Sequence, residues 1–282
     1  MRWLVLIAAT ACRIGDVDLT GKQCPCPGGW SCQVATGTCV RGGAAGDAPA
    51  PSDALVDAPG EGPAGYRDVV LADQPIAYWR LGDTDGTARD ELGHYDGTYS
   101  GACMHGVAGI DGNGALGLDG RTCEVVLPDA LEFPNTEPYA VEAWIEEPGP
   151  VTAFRVVFSK ESRNMGPVDG YALVDSSTGA YFERAILPSA PTTAHEMHAF
   201  GSYVHLVGVY DGASFVMYVD GQPGQAVADA RAMPTYSADA LIGADLDGDF
   251  FTGSLDEVAI YDHVLAADRI ALHYAIGSGS HD

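Results

Sequence analysis

The sequence predicts an all-β fold for everything after about Tyr66, built as a sandwich of two antiparallel sheets. Three observations predict it. From Tyr66 onward, short apolar or alternating runs are separated by Gly, Asp and Pro turns at intervals of roughly ten residues. Asp211-Gly212 and Asp220-Gly221 bracket the run Phe215-Val-Met-Tyr-Val219, and both pairs are strong turn signals. Near the end, Gly253-Ser-Leu-Asp-Glu-Val-Ala-Ile-Tyr-Asp262 is apolar on both parities: Leu255, Ala259 and Tyr261 on one, Val258 and Ile260 on the other. It therefore reads as a strand buried on both faces. Into it are set Asp256 and Glu257. Buried charge is expensive unless paired, hydrogen-bonded or on a metal, so this pair should have a task.

Taken in order, the chain of 282 residues begins with the pattern of an export signal. Arg2 precedes the apolar run Trp3-Leu-Val-Leu-Ile-Ala-Ala9, and Ala9-Thr10-Ala11 supplies small residues before Cys12. The run is too short to span a bilayer. Residues 1–11 are thus expected to be a signal peptide. Residues 12–41 hold Cys24-Pro-Cys26-Pro-Gly-Gly-Trp-Ser-Cys32 and Cys39 among many Gly and Pro. Some thirty residues of this kind cannot bury a core, so staples must hold any fold. Export favours two disulfides over a zinc site, with three pairings open and Cys24–Cys26 the most strained. Residues 42–65, rich in Ala, Pro, Gly and Asp, read as a disordered spacer. Residues 66–278 form the main domain. Its two cysteines, Cys103 and Cys123, are expected to pair with each other.

The net charge of −25, from 39 acidic and 14 basic residues, argues against a nucleic-acid partner, because phosphate contacts need a basic patch. Acidic oxygens are instead available to hard cations. Within the main domain, strands are expected at Ile76–Leu81, Cys123–Leu127, Tyr139–Ile145, Phe154–Ser159, Gly170–Val174, Tyr203–Tyr210, Phe215–Val219 and Ala238–Ile242. A short terminal helix is expected over His263–Tyr274, with Val264, Ile270 and Tyr274 at helical spacing.

Several stretches together resemble the laminin G-like jelly-roll domains of the concanavalin A-like lectin and glucanase superfamily. They include Ala72-Asp-Gln-Pro-Ile-Ala-Tyr-Trp-Arg-Leu-Gly82, Val141-Glu-Ala-Trp144, Tyr218-Val-Asp-Gly221 and Phe251-Thr-Gly-Ser-Leu-Asp-Glu-Val-Ala-Ile-Tyr261. The resemblance implies a two-sheet jelly roll with the first and last strands adjacent. It also implies structural calcium, in the loop Asp90-Glu-Leu-Gly-His-Tyr-Asp96 beside the carboxylates of the last strand, with Asp90 and Asp256 as ligands. His94 stands where the family usually has Asn. Before Cys12, the small residue resembles a bacterial lipoprotein signal, and the cysteine-rich stretch is similar to one found in exported myxobacterial proteins.

Catalytic patterns are weaker. Glycosidases of this superfamily carry Glu-x-Asp-x-Glu on one strand, which places the carboxylates on one face. Here Glu142-Ala-Trp-Ile-Glu146 has Trp144 in place of the central Asp. His195-Glu-Met-His198 is one residue short of a zinc-protease motif and reads as an exposed loop. Asp245-Leu-Asp-Gly-Asp249 is no EF-hand, since Phe250 replaces the required Gly, and it reads as a hairpin turn. Tyr95, Tyr99, Tyr181 and Phe182 are candidates for stacking on sugars. The expected function is a non-catalytic surface module binding carbohydrate or an extracellular protein. A glycoside-active enzyme using Glu142 and Glu146, or a passive envelope domain, is the alternative.

The leader generates a prediction. In a suitable bacterial host the protein is processed before Cys12 and partitions into detergent, anchored to the cell envelope by lipid. Recovery of an intact N-terminus, or of a soluble mature form with unmodified Cys12, contradicts it.

Overall fold

The computed structural model describes residues 30–33, 38–41, 65–150, 154–162 and 168–279. The chain divides into two units, Met1–Gly60 and Glu61–Asp282. Within the first, β1 (Trp30–Gln33) and β2 (Thr38–Arg41) form an antiparallel hairpin that sets Cys32 opposite Cys39. Residues 1–11, Cys12, Cys24, Cys26 and the spacer up to residue 64 lie outside the described residues.

The second unit starts with helix α1 (Tyr66–Ala72). Short strands follow: β3 (Ala77–Trp79), β4 (Thr87–Ala88), β5 (Gly97–Ser100), β6 (Met104–Val107), β7 (Ala115–Asp119) and β8 (Glu124–Val126). Longer ones come next: β9 (Tyr139–Glu146), β10 (Arg155–Ser162), β11 (Asp169–Asp175), β12 (Ala180–Ala185), β13 (Thr192–Glu196), β14 (Val204–Tyr210) and β15 (Ser214–Val219). Two brief strands, β16 (Gln222–Pro223) and β17 (Val227–Ala228), precede β18 (Ala240–Ile242) and β19 (Thr252–Tyr261), and helix α2 (Ala267–Ser278) follows.

These strands make two antiparallel sheets. One runs β16-β15-β14-β9-β19-β7-β6, with β17 beside β15 and β3 beside β19. The other runs β13-β12-β11-β10-β18-β8-β5-β4. The first strand of this unit thus pairs with the last, Trp79 opposite Val258, as the family resemblance implies. The turn at Asp220 and Gly221 has the two consecutive positive φ values, 50° and 75°, of a tight hairpin. The helix begins at Ala267, four residues later than expected, because His263–Ala266 forms the turn leaving β19. The segment from Asp245 to Asp249 is a turn but not a hairpin, since β18 and β19 belong to different sheets. Cys103 and Cys123 are joined by a disulfide, with Cα atoms 4.8 Å apart.

Strand periodicity explains the burial. On β9, Tyr139, Val141, Ala143 and Ile145 point between the sheets, where they meet Phe158, Tyr171, Leu173 and Phe182 of the facing sheet. The other parity, Ala140 and Trp144, points outward into a second layer with Tyr66, Val70 and Ile270 of the two helices. Both faces of β9 and β19 are covered. That is why their sequences are apolar on both parities.

Glu142 belongs to this outward parity and is fully buried. Its Oε1 accepts from Tyr66 (2.8 Å), His205 Nε2 (2.7 Å) and His273 Nδ1 (2.9 Å), and Oε2 accepts from Tyr261 (2.6 Å). The other nitrogen of His273 lies 2.8 Å from Asp73, which also pairs with Arg269. Burial alone would push the Glu142 carboxyl up, but the charges and hydrogen bonds of His273 and His205 hold it well below the usual range. Burial opposes protonation of His273, and Glu142 and Asp73 outweigh it, raising its pKa. One carboxylate therefore ties both helices to three central strands.

Glu142→Gln keeps the shape and removes the charge, leaving Asp73 as the one counter-ion of His273 among the described residues. Breaking a buried pair costs about 3–5 kcal/mol, so urea unfolding should show a loss of roughly 3 kcal/mol. A loss below ~1 kcal/mol would make the network a bystander.

Candidate functional site

The carboxylates of β19 sit at a break in the ladder. β7 pairs with Thr252–Leu255 and β3 with Val258–Ile260, so Asp256 and Glu257 fall in the gap between two neighbours. Against β9 the register shifts between Asp256 and Ala259, and Glu257 has φ of 53°. This bulge turns Glu257 to the same outer side as Asp256 instead of into the sandwich. Tyr78 donates its hydroxyl to Glu257, and the Ile110 amide donates to Asp256 Oδ2 at 2.8 Å. Arg80 spans the group, its Nε 3.1 Å from Glu257 and its Nη2 on Asp111. Carboxylate oxygens of Asp111, Asp256 and Glu257 lie within 4.8 Å of one another.

Asp90 is elsewhere. Its Oδ1 accepts the amides of Tyr78 (2.8 Å) and Leu92 (3.2 Å), and its Oδ2 those of His94 (2.9 Å) and Tyr95 (3.1 Å). Its four hydrogen bonds come from backbone amides, three in its own loop and one on β3, and its oxygens are not among those of Asp111, Asp256 and Glu257 that lie within 4.8 Å of one another. The expected calcium ion between Asp90 and Asp256 does not fit these surroundings. One residue is spent on folding a loop, and the other has Arg80 as its nearby cation.

A single guanidinium does not neutralise three carboxylates. Burial pushes Asp256 up to about 7, and burial with the Asp256 charge pushes Glu257 up to about 8. Asp256 Oδ1 is buried with no hydrogen-bond partner.

A different part of the molecule offers an accessible surface. The outer face of the β9 sheet is covered by α1 and α2, whereas on the facing sheet Val156, Ala172 and Val174 point outward with Tyr181 packed on them. Together with Phe154, these residues line a groove of about 200 Å³. Tyr181 and Phe154 meet edge to face, ring centroids 6.2 Å apart, and Phe154 is 54% exposed. Glu161, Glu183, Asp245, Asp247 and Asp249 complete the lining. Burial, with the nearby Asp245, pushes Glu183 up to about 6. Flat rings beside several carboxylates suit a ligand with apolar C–H faces and many hydroxyl donors.

Of the aromatic candidates, only Tyr181 lines this groove. Phe182 lies in the core between the sheets, Tyr95 packs against that core, and Tyr99 packs on His105 with centroids 4.6 Å apart. The expected loop at His195–His198 is a correction: Thr192–Glu196 is the edge strand β13, held by β12, and the His198 side chain is buried against Asp175. Sequence reading missed Glu161, Glu183, Arg80 and Asp111. The alternation Tyr181-Phe-Glu183-Arg184, polar or amphipathic outward and large inward, is the local signal that marks the first face.

A family model described as the concanavalin A-like lectin/glucanases superfamily matches residues 119–271. That is more than half of the chain, and the chain belongs to this family. No curated protein matches the sequence. Among solved structures, one similar to it is domain 4 of AbnA, a GH43 extracellular arabinanase from Geobacillus stearothermophilus, in complex with arabinotriose. The identity is 19% and the TM-score 0.55, over 71% of this chain and 98% of that one. The binding domain of botulinum neurotoxin serotype D is similar at 10% identity and TM-score 0.58, over 73% of this chain and 52% of the other. The binding domain of botulinum neurotoxin DC, solved with rat synaptotagmin II, has the same TM-score and identity, and again only 52% of it is covered. This chain spans about half the length of those toxin domains. At such identities the likeness is one of fold.

The titration of Asp256 yields a test. Its folded pKa lies above the unfolded ~3.9, so the folded state keeps a proton that the unfolded state loses. The stability this contributes is present at low pH and declines as pH rises from about 4 to 8. Asp256→Asn, neutral and similar in shape, should therefore gain on the wild type between pH 5 and pH 8.5, by roughly 2 kcal/mol in urea unfolding. A stability difference that does not change with pH would show that Asp256 is ionised throughout.

Proposed function

We propose that the sandwich is a non-catalytic binding module that takes a carbohydrate chain across the open face of the β10–β13 strands. The observation that carries this reading is the groove there, where Tyr181 and Phe154 stand beside Glu161 and Glu183 on a sheet face that no helix of the described residues covers. Rings stack on the C–H faces of sugars, while carboxylates accept from sugar hydroxyls. The arabinanase domain with its arabinotriose supports carbohydrate as the ligand class. The toxin domain with synaptotagmin supports a protein partner as the second reading. The glycosidase reading is disfavoured, because Glu142 is sealed beneath the helices and bound to two tyrosines and two histidines, where no substrate reaches it. Export and a lipid anchor at Cys12 would present this groove at the cell surface.

Glycan-array screening of the full chain, followed by calorimetry on the best ligand, tests the proposal. Tyr181→Ala should weaken binding about tenfold, the loss of one stacking contact worth ~1–1.5 kcal/mol. Glu183→Gln should weaken it as well. Binding unchanged in both variants would overturn the site. Polysaccharide hydrolysis abolished by Glu142→Gln would overturn the non-catalytic reading.

A further inference from the structure

At one rim of the sandwich, three side chains from both sheets converge. Glu147 directly follows β9, Asp175 ends β11 of the facing sheet, and His198 lies just past β13. Glu147 is 2% exposed, and the side chains of Asp175 and His198 are 0% and 1% exposed. One ligand-type atom from each falls within 4.8 Å of the other two.

The hydrogen bonding at this point does not close. His198 Nδ1 is 2.8 Å from the carbonyl of Ala199, which can only accept, so Nδ1 carries a hydrogen. Nε2 lies 2.8 Å from Asp175 Oδ1 and, with no metal present, donates a proton to it. Burial opposes the charge on His198, and the carboxylate outweighs it, raising the His198 pKa. Both Glu147 oxygens and Asp175 Oδ2 are buried with no hydrogen-bond donor. Glu147 faces Asp175, which is another acceptor. Arg155, the cation that acts on Glu147, makes its hydrogen bond to the carbonyl of Phe154 instead. Among the described residues, then, one imidazole and two carboxyl groups are gathered in a buried site, where burial and the facing Asp175 push Glu147 up to about 9 and three carboxyl oxygens have no hydrogen-bond partner.

We propose that Glu147, Asp175 and His198 bind a divalent transition-metal ion of the zinc class. A backbone carbonyl fixing Nδ1–H while Nε2 points at the site is the usual support for a metal-bound histidine. One imidazole with two carboxylates suits zinc, whereas calcium and magnesium prefer all-oxygen sets. The ion displaces whatever protons the site holds and satisfies in one place every lone pair that now lacks a donor. Its ligands come from both sheets, so it clamps the rim where β9 leaves one sheet and β11 leaves the other. On its other side, His198 borders a surface groove with Ala199 and Asp220.

The test uses the full chain, oxidised, free of a histidine tag and stripped of metal. Zinc chloride titrated by calorimetry should bind with one equivalent at micromolar Kd or tighter, and should raise the melting temperature. His198→Gln and Glu147→Gln should each weaken binding at least tenfold, which separates this site from the N-terminal cysteines. Should either variant fold poorly, cobalt added to the wild type provides the readout, as a visible d–d band together with loss of the His198 ring resonances. Absence of zinc and cobalt uptake by the wild type, with an unchanged melting temperature, would mean that protons alone hold the site and would overturn the proposal. So would variants that bind zinc as tightly as the wild type.

Discussion

Much of this structure depends on the neutralisation of one buried carboxylate. Glu142 lies on the central strand of its sheet, and without partners it would be among the costliest groups in the molecule. Its partners come from α1, β14, β19 and α2, and His273 passes the connection on to Asp73 at the end of α1. The helices are short, with no side-chain cap on either. Docking on a polar network with fixed directions holds them where propensity would not.

Covering that face has a consequence for the other one. With α1 and α2 packed on the β9 sheet, the facing sheet supplies the sandwich's open outer surface. There the outward residues of β11 are small, Ala172 and Val174, while those of β12 are large or charged, Tyr181 and Glu183. A low floor between higher walls is a groove. Side-chain size at alternate positions creates it, beside a register shift in β10 between Val156 and Phe158.

A buried carboxylate is handled in three ways in this one domain. Glu142 is met by protonated and neutral donors, Asp90 by four backbone amides, and Asp256 with Glu257 by an arginine and retained protons. At the rim Asp175 is met by His198 and Glu147 by a retained proton, yet three of their oxygens have no hydrogen-bond partner among the described residues, and this sets the rim apart from the other sites. The bulge at Glu257 shows the cost of such arrangements, since a non-glycine residue is held in the left-handed region to turn one side chain outward.

The sequence by itself determined most of the longer strands, because alternation is local and strand ends are marked by Gly, Asp and Pro, whereas β12 and the edge strand β13 were not read from it. The doubly apolar run of β19 announced burial on both sides, and the two cysteines of the domain announced their bond. The helix was legible as a helix, though its first turn was not. Which carboxylate meets which partner was decided only by the tertiary structure. Asp256 was legible as a residue needing a partner, but that the partner is Arg80 and not Asp90 depends on a bulge and on the β3–β7 gap. Glu147, Asp175 and His198 lie at or just past the ends of separate strands, and long-range pairing brings them to one rim. Periodicity records which way a residue points. It carries no record of what stands opposite, because that is fixed by contacts between distant strands.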